Sequence, residues 1–139
     1  MISRKILIVD DEEILIRTFS KLLTKKGYSV TGVLSGTEAV QIIQRESFDL
    51  LICDIRMPGI NGFQTIRQIR DMIKFTRQSE IPVILISGYL VDPVMELEIL
   101  RIMPNLFMTK PFDTHFFLEK ISWVLENRKN SRPNLTFHD

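Results

Sequence analysis

Three aspartates stand directly after short apolar runs: Asp10 and Asp11 after Ile6-Leu7-Ile8-Val9, and Asp54 after Leu50-Leu51-Ile52-Cys53. Two further runs end in a hydroxyl and an ammonium. Val83-Ile84-Leu85-Ile86 is followed by Ser87 and Gly88, and Leu106-Phe107-Met108 by Thr109, Lys110 and Pro111. Carboxylates gathered on one site repel one another, and one is driven towards its protonated form unless a cation enters. A hard divalent ion with oxygen ligands and retained waters suits such a cluster, which points to Mg2+. Zinc is disfavoured, because no His and no second Cys accompanies these residues. With the ion bound, a carboxylate at Asp54 becomes a nucleophile towards phosphorus, since aspartyl phosphate is an established kind of covalent intermediate. The metal and Lys110 would offset charge on the transferring phosphoryl oxygens, and the Ser87 hydroxyl would donate a hydrogen bond to them.

Residues so far apart in the chain meet only if the runs before them are strands that end at one edge of a sheet. The runs before Asp10, Asp54 and Ser87 are continuously apolar rather than alternating, the habit of strands buried on both faces of a parallel sheet. Ser29 to Val33 and Leu106 to Met108 are two fainter strand candidates. Between the strands lie amphipathic helices. Leu15, Phe19, Leu22 and Leu23 mark the first, with Gly27 placed for a left-handed C-terminal cap. Ser35-Gly36-Thr37-Glu38 has the form of a capping box and opens a second helix carrying Ala39, Ile42 and Ile43. Ile66, Ile69 and Ile73 follow the Pro58-Gly59 turn. Asp92-Pro93 opens a fourth helix that stops before Pro104, and Asp113 caps a fifth with Phe117, Ile121, Val124 and Leu125 inward.

The order is (βα)5, an α/β fold with a doubly wound, five-stranded parallel sheet between two helix layers. Ligands bind such sheets beyond the carboxyl ends of the strands, near the point where the strand order reverses. Asp10, Asp11, Asp54, Ser87 and Lys110 all fall there.

These residues, with the Met57-Pro58-Gly59 turn and the Lys110-Pro111-Phe112 run, resemble the CheY-like receiver domain of two-component response regulators over roughly Lys5 to Leu125. The resemblance implies the flavodoxin-like three-layer sandwich. It implies that Asp54 accepts a phosphoryl group from the phosphohistidine of a sensor histidine kinase or a phosphotransfer protein. Asp11, the Asp54 side chain and the Arg56 backbone carbonyl would ligate Mg2+, with Asp10 acting mostly through a bound water. Lys110 would contact the phosphoryl group, and the Lys110-Pro111 bond would be cis. Ser87 would move towards the phosphate and Phe107 would turn inward into the vacated space. That coupling would alter the face formed by the fourth helix, fifth strand and fifth helix, for an effector or a second copy. Such a chain is a signalling phosphoacceptor rather than an enzyme, self-catalysing its phosphorylation and slowly losing the phosphate.

Two other readings are weighed against this one. A haloacid-dehalogenase-type phosphohydrolase also uses an aspartyl nucleophile after a parallel strand, but wants a second carboxylate two residues on. Arg56 stands there, and a guanidinium cannot serve as a base at neutral pH. A degenerate receiver acting as a phosphorylation-independent scaffold is the alternative, and the full set of five site residues speaks against it.

Several positions depart from the family's common pattern. Phe107 stands where tyrosine is frequent, Met103-Pro104-Asn105 replaces a small-residue turn, and the connection Phe75 to Glu80 is long. Gly88, where alanine is common, adds backbone freedom. Arg56 and Tyr89 would flank the phosphoryl group and hinder attack by water. In the fourth helix Val94, Met95, Leu97, Ile99, Leu100, Ile102 and Met103 point nearly all round the axis. Either that helix is sunk unusually deep or it carries an exposed apolar patch for a partner or a second copy, and the patch is favoured.

Composition sets the outer bounds. The chain has 139 residues, 45% apolar and 25% charged, which is one domain with one core. A formal charge of +1 gives no support to direct nucleic-acid binding or to electrostatic attachment to membranes. Cys53 is the single cysteine, which excludes an internal disulfide framework. The apolar run Ile6 to Val9 is too short for a signal-peptide core or a membrane span, so the protein is expected to be cytoplasmic and reduced. Residues 4–127 form the expected receiver unit, and 128–139 a polar tail or linker stub.

Overall fold

The computed structural model describes residues 3–88 and 90–127, so the expected polar tail and Tyr89 lie outside the described residues. Along the chain run β1 (Lys5–Val9), α1 (Glu13–Lys25), β2 (Ser29–Val33), α2 (Gly36–Ile43) and β3 (Leu50–Asp54). Then follow α3 (Gly62–Thr76), β4 (Val83–Ser87), α4 (Pro93–Ile102), β5 (Leu106–Thr109) and α5 (Thr114–Glu126). The strands form one sheet in the order β2-β1-β3-β4-β5, every pair parallel.

The two-residue period of a strand explains the layering. Leu7, Val9, Leu51, Cys53, Val83, Leu85 and Phe107 face a core completed by Ala39 and Ile43 of α2, Ile66, Ile69 and Ile73 of α3, and Ile99 of α4. The alternate residues Ile6, Ile8, Leu50, Ile52, Ile84, Ile86, Leu106 and Met108 face Phe19 and Leu23 of α1 and Phe117, Ile121 and Val124 of α5. Both faces are dry, which is why β1, β3 and β4 carry no polar alternation. On the second face Phe19, Phe112 and Phe117 form one ring cluster, with the Phe117 centroid 4.7 and 5.0 Å from the other two.

The helix ends follow local chemistry. Past α1, Gly27 takes φ +93, and the N–H groups of Gly27 and Tyr28 donate to the carbonyls of Thr24 and Leu23, a Schellman closure. Ser35 caps α2 by accepting from the Glu38 N–H at 3.2 Å. The reciprocal half of the expected capping box is displaced by one residue, because Glu38 Oε2 accepts from Leu34 rather than from Ser35. The complete box is at α3, where Asn61 Oδ1 accepts from Gln64 N–H at 2.9 Å and Gln64 Oε1 accepts from Asn61 N–H at 2.8 Å.

The atypical loops also resolve. α3 runs to Thr76 and is closed by Arg77 at φ 59, with the Gln78 N–H donating to the Ile73 carbonyl at 3.1 Å. The turn after α4 is held by Asn105, whose side-chain oxygen accepts from Val83 N–H while its own N–H donates to the Val83 carbonyl, both at 2.9 Å. α4 itself is not sunk. Met95, Ile99 and Ile102 are buried, whereas Val94, Leu97, Leu100 and Met103 remain 71%, 54%, 49% and 55% exposed. Among the described residues no helix is long and apolar enough to cross a membrane.

Candidate functional site

The strand order reverses between β1 and β3, since β1 is paired with β2 on one side and β3 on the other. Beyond the carboxyl ends of these two strands stand Asp10, Asp11 and Asp54, each able to offer one oxygen within 4.8 Å of the other two. Asp10 and Asp54 are buried and Asp11 is exposed. Asp10 is held by accepting from the Glu12 N–H at 2.9 Å. Lys110, past β5, reaches back across β4 to place Nζ 3.1 Å from Asp10 Oδ2 and 3.7 Å from Asp54 Oδ1. The Lys110 N–H donates to the Ser87 carbonyl at 2.8 Å, and the Lys110-Pro111 bond is cis. A cleft of about 470 Å3 opens here between Asp11, Glu12, Asp54, Arg56, Gly88 and Lys110.

The electrostatics are those of an overcrowded acidic site. Burial first, and the Asp10 charge second, push the Asp54 carboxyl up to about 6; Lys110 opposes the rise and Asp11 adds to it. Burial pushes the neighbouring Cys53 thiol up as well, and this side chain is a small core residue rather than a reactive one. Three carboxylate oxygens converging from a buried floor and an exposed rim form a donor set that fits a hard divalent cation.

The raised carboxyl has a consequence for stability. In the unfolded chain Asp54 ionises near 3.8, and in the metal-free fold near 6. Its contribution to stability is therefore fully present below the lower value and is lost as pH rises through the upper one. With a chelator present, urea denaturation of wild type is expected to lose about 1–2 kcal/mol, relative to Asp54→Asn, between pH 4 and pH 7. Mg2+ at neutral pH should restore it in wild type alone. Parallel pH profiles for the two proteins would contradict this.

Of the residues singled out from sequence, Asp10, Asp11, Asp54, Arg56 and Lys110 are brought together. Ser87 closes β4 opposite Thr109 and is buried behind the cleft rather than lining it. Phe107 does not begin from an outward position. It is 2% exposed and packed in the core that also holds Met95, Ile99 and Ile102 of α4. An alanine at Gly88 would make only ordinary contact with Lys110 Cδ, at 3.6 Å, and the backbone there needs no glycine.

Two contributors escaped the sequence reading. The Gly62 N–H donates to the Ile55 carbonyl at 2.7 Å, and a Cβ on Gly62 would overlap the Asp54 carbonyl oxygen and lie 2.9 Å from Ile55 Cα. This glycine lets α3 butt against the strand end that carries Asp54, and the only signal was an Asn-Gly pair, which reads as a turn. The second is Met95 of α4, whose sulfur lies 4.0 Å from the Arg56 guanidinium. That contact joins the rim of the cleft to the helix with the exposed apolar side chains.

The family model for the response regulator receiver domain matches residues 6–122. A 3',5'-cyclic-nucleotide phosphodiesterase, regA, of Dictyostelium discoideum is 34% identical over 125 residues, 88% of this chain and 15% of that protein. The probable transcriptional regulator ycf27 of Cyanidium caldarium is 30% identical over 134 residues, 96% of this chain and 51% of that one. The chain thus spans about half or less of the length of these curated relatives. Among solved structures, the signal receiver domain of a signal transduction histidine kinase from Syntrophus aciditrophicus superposes with a TM-score of 0.81 at 27% identity, covering 99% of this chain and 100% of that one.

Proposed function

The chain belongs to the response regulator receiver domain family of two-component signalling, and from that premise we propose that it is a phosphoacceptor switch charged on Asp54. Receiver domains interact with histidine kinases or phosphotransfer proteins, and a phosphohistidine of such a partner is the proposed donor. The observation that carries the proposal is Lys110 Nζ, 3.1 Å from Asp10 and 3.7 Å from Asp54, over a cluster of three carboxylates. A structural turn cap needs no such cation.

The chemistry follows from the residues. An Asp54 carboxylate oxygen attacks phosphorus, the bond from phosphorus to the donor's imidazole nitrogen breaks, and the imidazole, protonated on its other ring nitrogen, leaves neutral with that electron pair. The nucleophile must be ionised, which its raised pKa opposes; cation charge on the site removes that obstacle. Asp10, Asp11, Asp54 and the Arg56 carbonyl are the proposed holders of Mg2+, which when bound supplies charge to neutralise the carboxylates and the phosphoryl oxygens. Lys110 supplies fixed positive charge at the phosphoryl oxygens, and the Ser87 hydroxyl a hydrogen bond. Arg56, at the rim, restricts the approach of water.

For output we propose that the face of α4, β5 and α5 answers through Ser87 and the packing of Phe107, and that Leu97 and Leu100 present the contact surface. Residues 4–127 are the proposed receiver unit, acting in the cytoplasm. The scaffold reading, independent of phosphorylation, is the alternative. The test has two arms. Borohydride reduction after treatment with acetyl phosphate and Mg2+, followed by peptide mass analysis, is expected to find residue 54 converted to homoserine. Sedimentation with a phosphoryl mimic, beryllofluoride, is expected to reveal self-association that Leu97→Glu with Leu100→Glu removes. Reduction elsewhere or not at all counts against the acceptor. Self-association unchanged by both substitutions counts against the face.

A further inference from the structure

We propose that the groove between the C-terminal ends of α3 and α4, at the amino ends of β4 and β5 and so at the end of the sheet opposite Asp54, binds a small organic anion carrying phosphate groups. Its volume is about 870 Å3, larger than the acidic cleft and within the usual range of small-molecule sites. Arg67, Arg70, Lys74, Arg77 and Arg101 line it, against the acids Asp71 and Glu80. Glu98 answers two of the five cations, pairing with both Arg67 and Arg101.

The remaining three are differently placed. Arg70 is fixed: its guanidinium donates to the Ile102 carbonyl and, at 3.2 Å, to the Met103 carbonyl, so it closes α4 within the field of the Glu80 carboxylate. Lys74 and Arg77 make no side-chain hydrogen bond or ion pair among the described residues. Arg77 stands in the left-handed conformation that ends α3, at the mouth of the groove. Cations near a helix C-terminus complement its dipole, which explains one or two of them. It does not explain five around a concavity.

The floor decides the kind of anion. Ile73 and Ile102 are buried beneath the groove, and Ile81 and Pro82 complete an apolar base under the basic rim. A bare inorganic ion would leave that base wet. A ligand with an apolar or planar body and a phosphate end covers the base and meets the Arg forks, whose geometry matches phosphate oxygens. The groove shares no residue with the acidic cleft, so the inference does not depend on phosphorylation of Asp54.

The test is titration of the 15N-labelled protein carrying Asp54→Asn with ADP, in the presence of a chelator and at physiological ionic strength. Expected are saturable amide shifts confined to residues 67–82 and 101–105. The apparent affinity should weaken about tenfold or more, equivalent to about 1.4 kcal/mol, in Lys74→Gln with Arg77→Gln, whose spectrum otherwise keeps the dispersion of the fold. Tripolyphosphate and a hexaglutamate peptide are each expected to bind more weakly than ADP. No shifts in the groove, or shifts centred on Lys110, would overturn the site. Equal binding of tripolyphosphate would overturn the organic body, and equal binding of hexaglutamate the phosphate.

Discussion

Replacing Lys110 by Ala is expected to slow phosphoryl uptake from acetyl phosphate by about 10²–10³-fold, the usual cost of losing one preorganised group aimed at developing charge. The lysine is held before any ligand arrives: its backbone N–H is tied to Ser87, and its ammonium is placed between Asp10 and Asp54. No reorganisation is then needed when charge shifts onto the phosphoryl oxygens. The same substitution leaves two buried carboxylates less compensated, at a cost of about 1–3 kcal/mol of stability near neutral pH. That loss should shrink below pH 6, where Asp54 takes up a proton. Rates from intact mass and urea midpoints at two pH values check both halves. A rate within twofold of wild type would remove Lys110 from the chemistry.

Gly62→Val is expected to be the most disruptive single change near the site. The clash is with backbone, the Asp54 carbonyl and Ile55 Cα, so no side chain can step aside. Either α3 retreats, losing the bond from Gly62 N–H to the Ile55 carbonyl, or the strand end that positions Asp54 shifts. Overpacking of this kind costs about 1–3 kcal/mol or more, and misplacing a reacting group by an ångström costs about 10²-fold in rate. Both a lowered urea midpoint and slow phosphate uptake are therefore expected. Gly88→Ala, at a position with ordinary space, is the control and should change neither by much. Wild-type stability and uptake in Gly62→Val would show that α3 does not brace the site.

The layout of the site was legible because strand ends in a parallel sheet are legible. β1, β3 and β4 are buried on both faces, so each reads as an unbroken apolar run with its candidate site residue directly after it. β2, an edge strand with a mixed burial pattern, and β5, only four residues long, were fainter. The fourth helix announced its surplus of apolar residues, and the structure shows which of them the core takes. What could not be read was whatever depends on packing across the sheet. The burial of Phe107 is set by α4, the contact of Arg56 with Met95 spans two elements, and the need for glycine at position 62 arises from a backbone eight residues earlier. The bond of Glu38 to Leu34 in place of Ser35 likewise depends on how the loop enters the helix.

The most direct test is intact mass after incubation with acetyl phosphate, for wild type and Asp54→Asn, each with Mg2+ and with a chelator. One added phosphate is expected on wild type with Mg2+, and none in the other three conditions. An adduct that survives in Asp54→Asn, or that forms equally well with the chelator, would contradict a metal-assisted phosphoacceptor at Asp54.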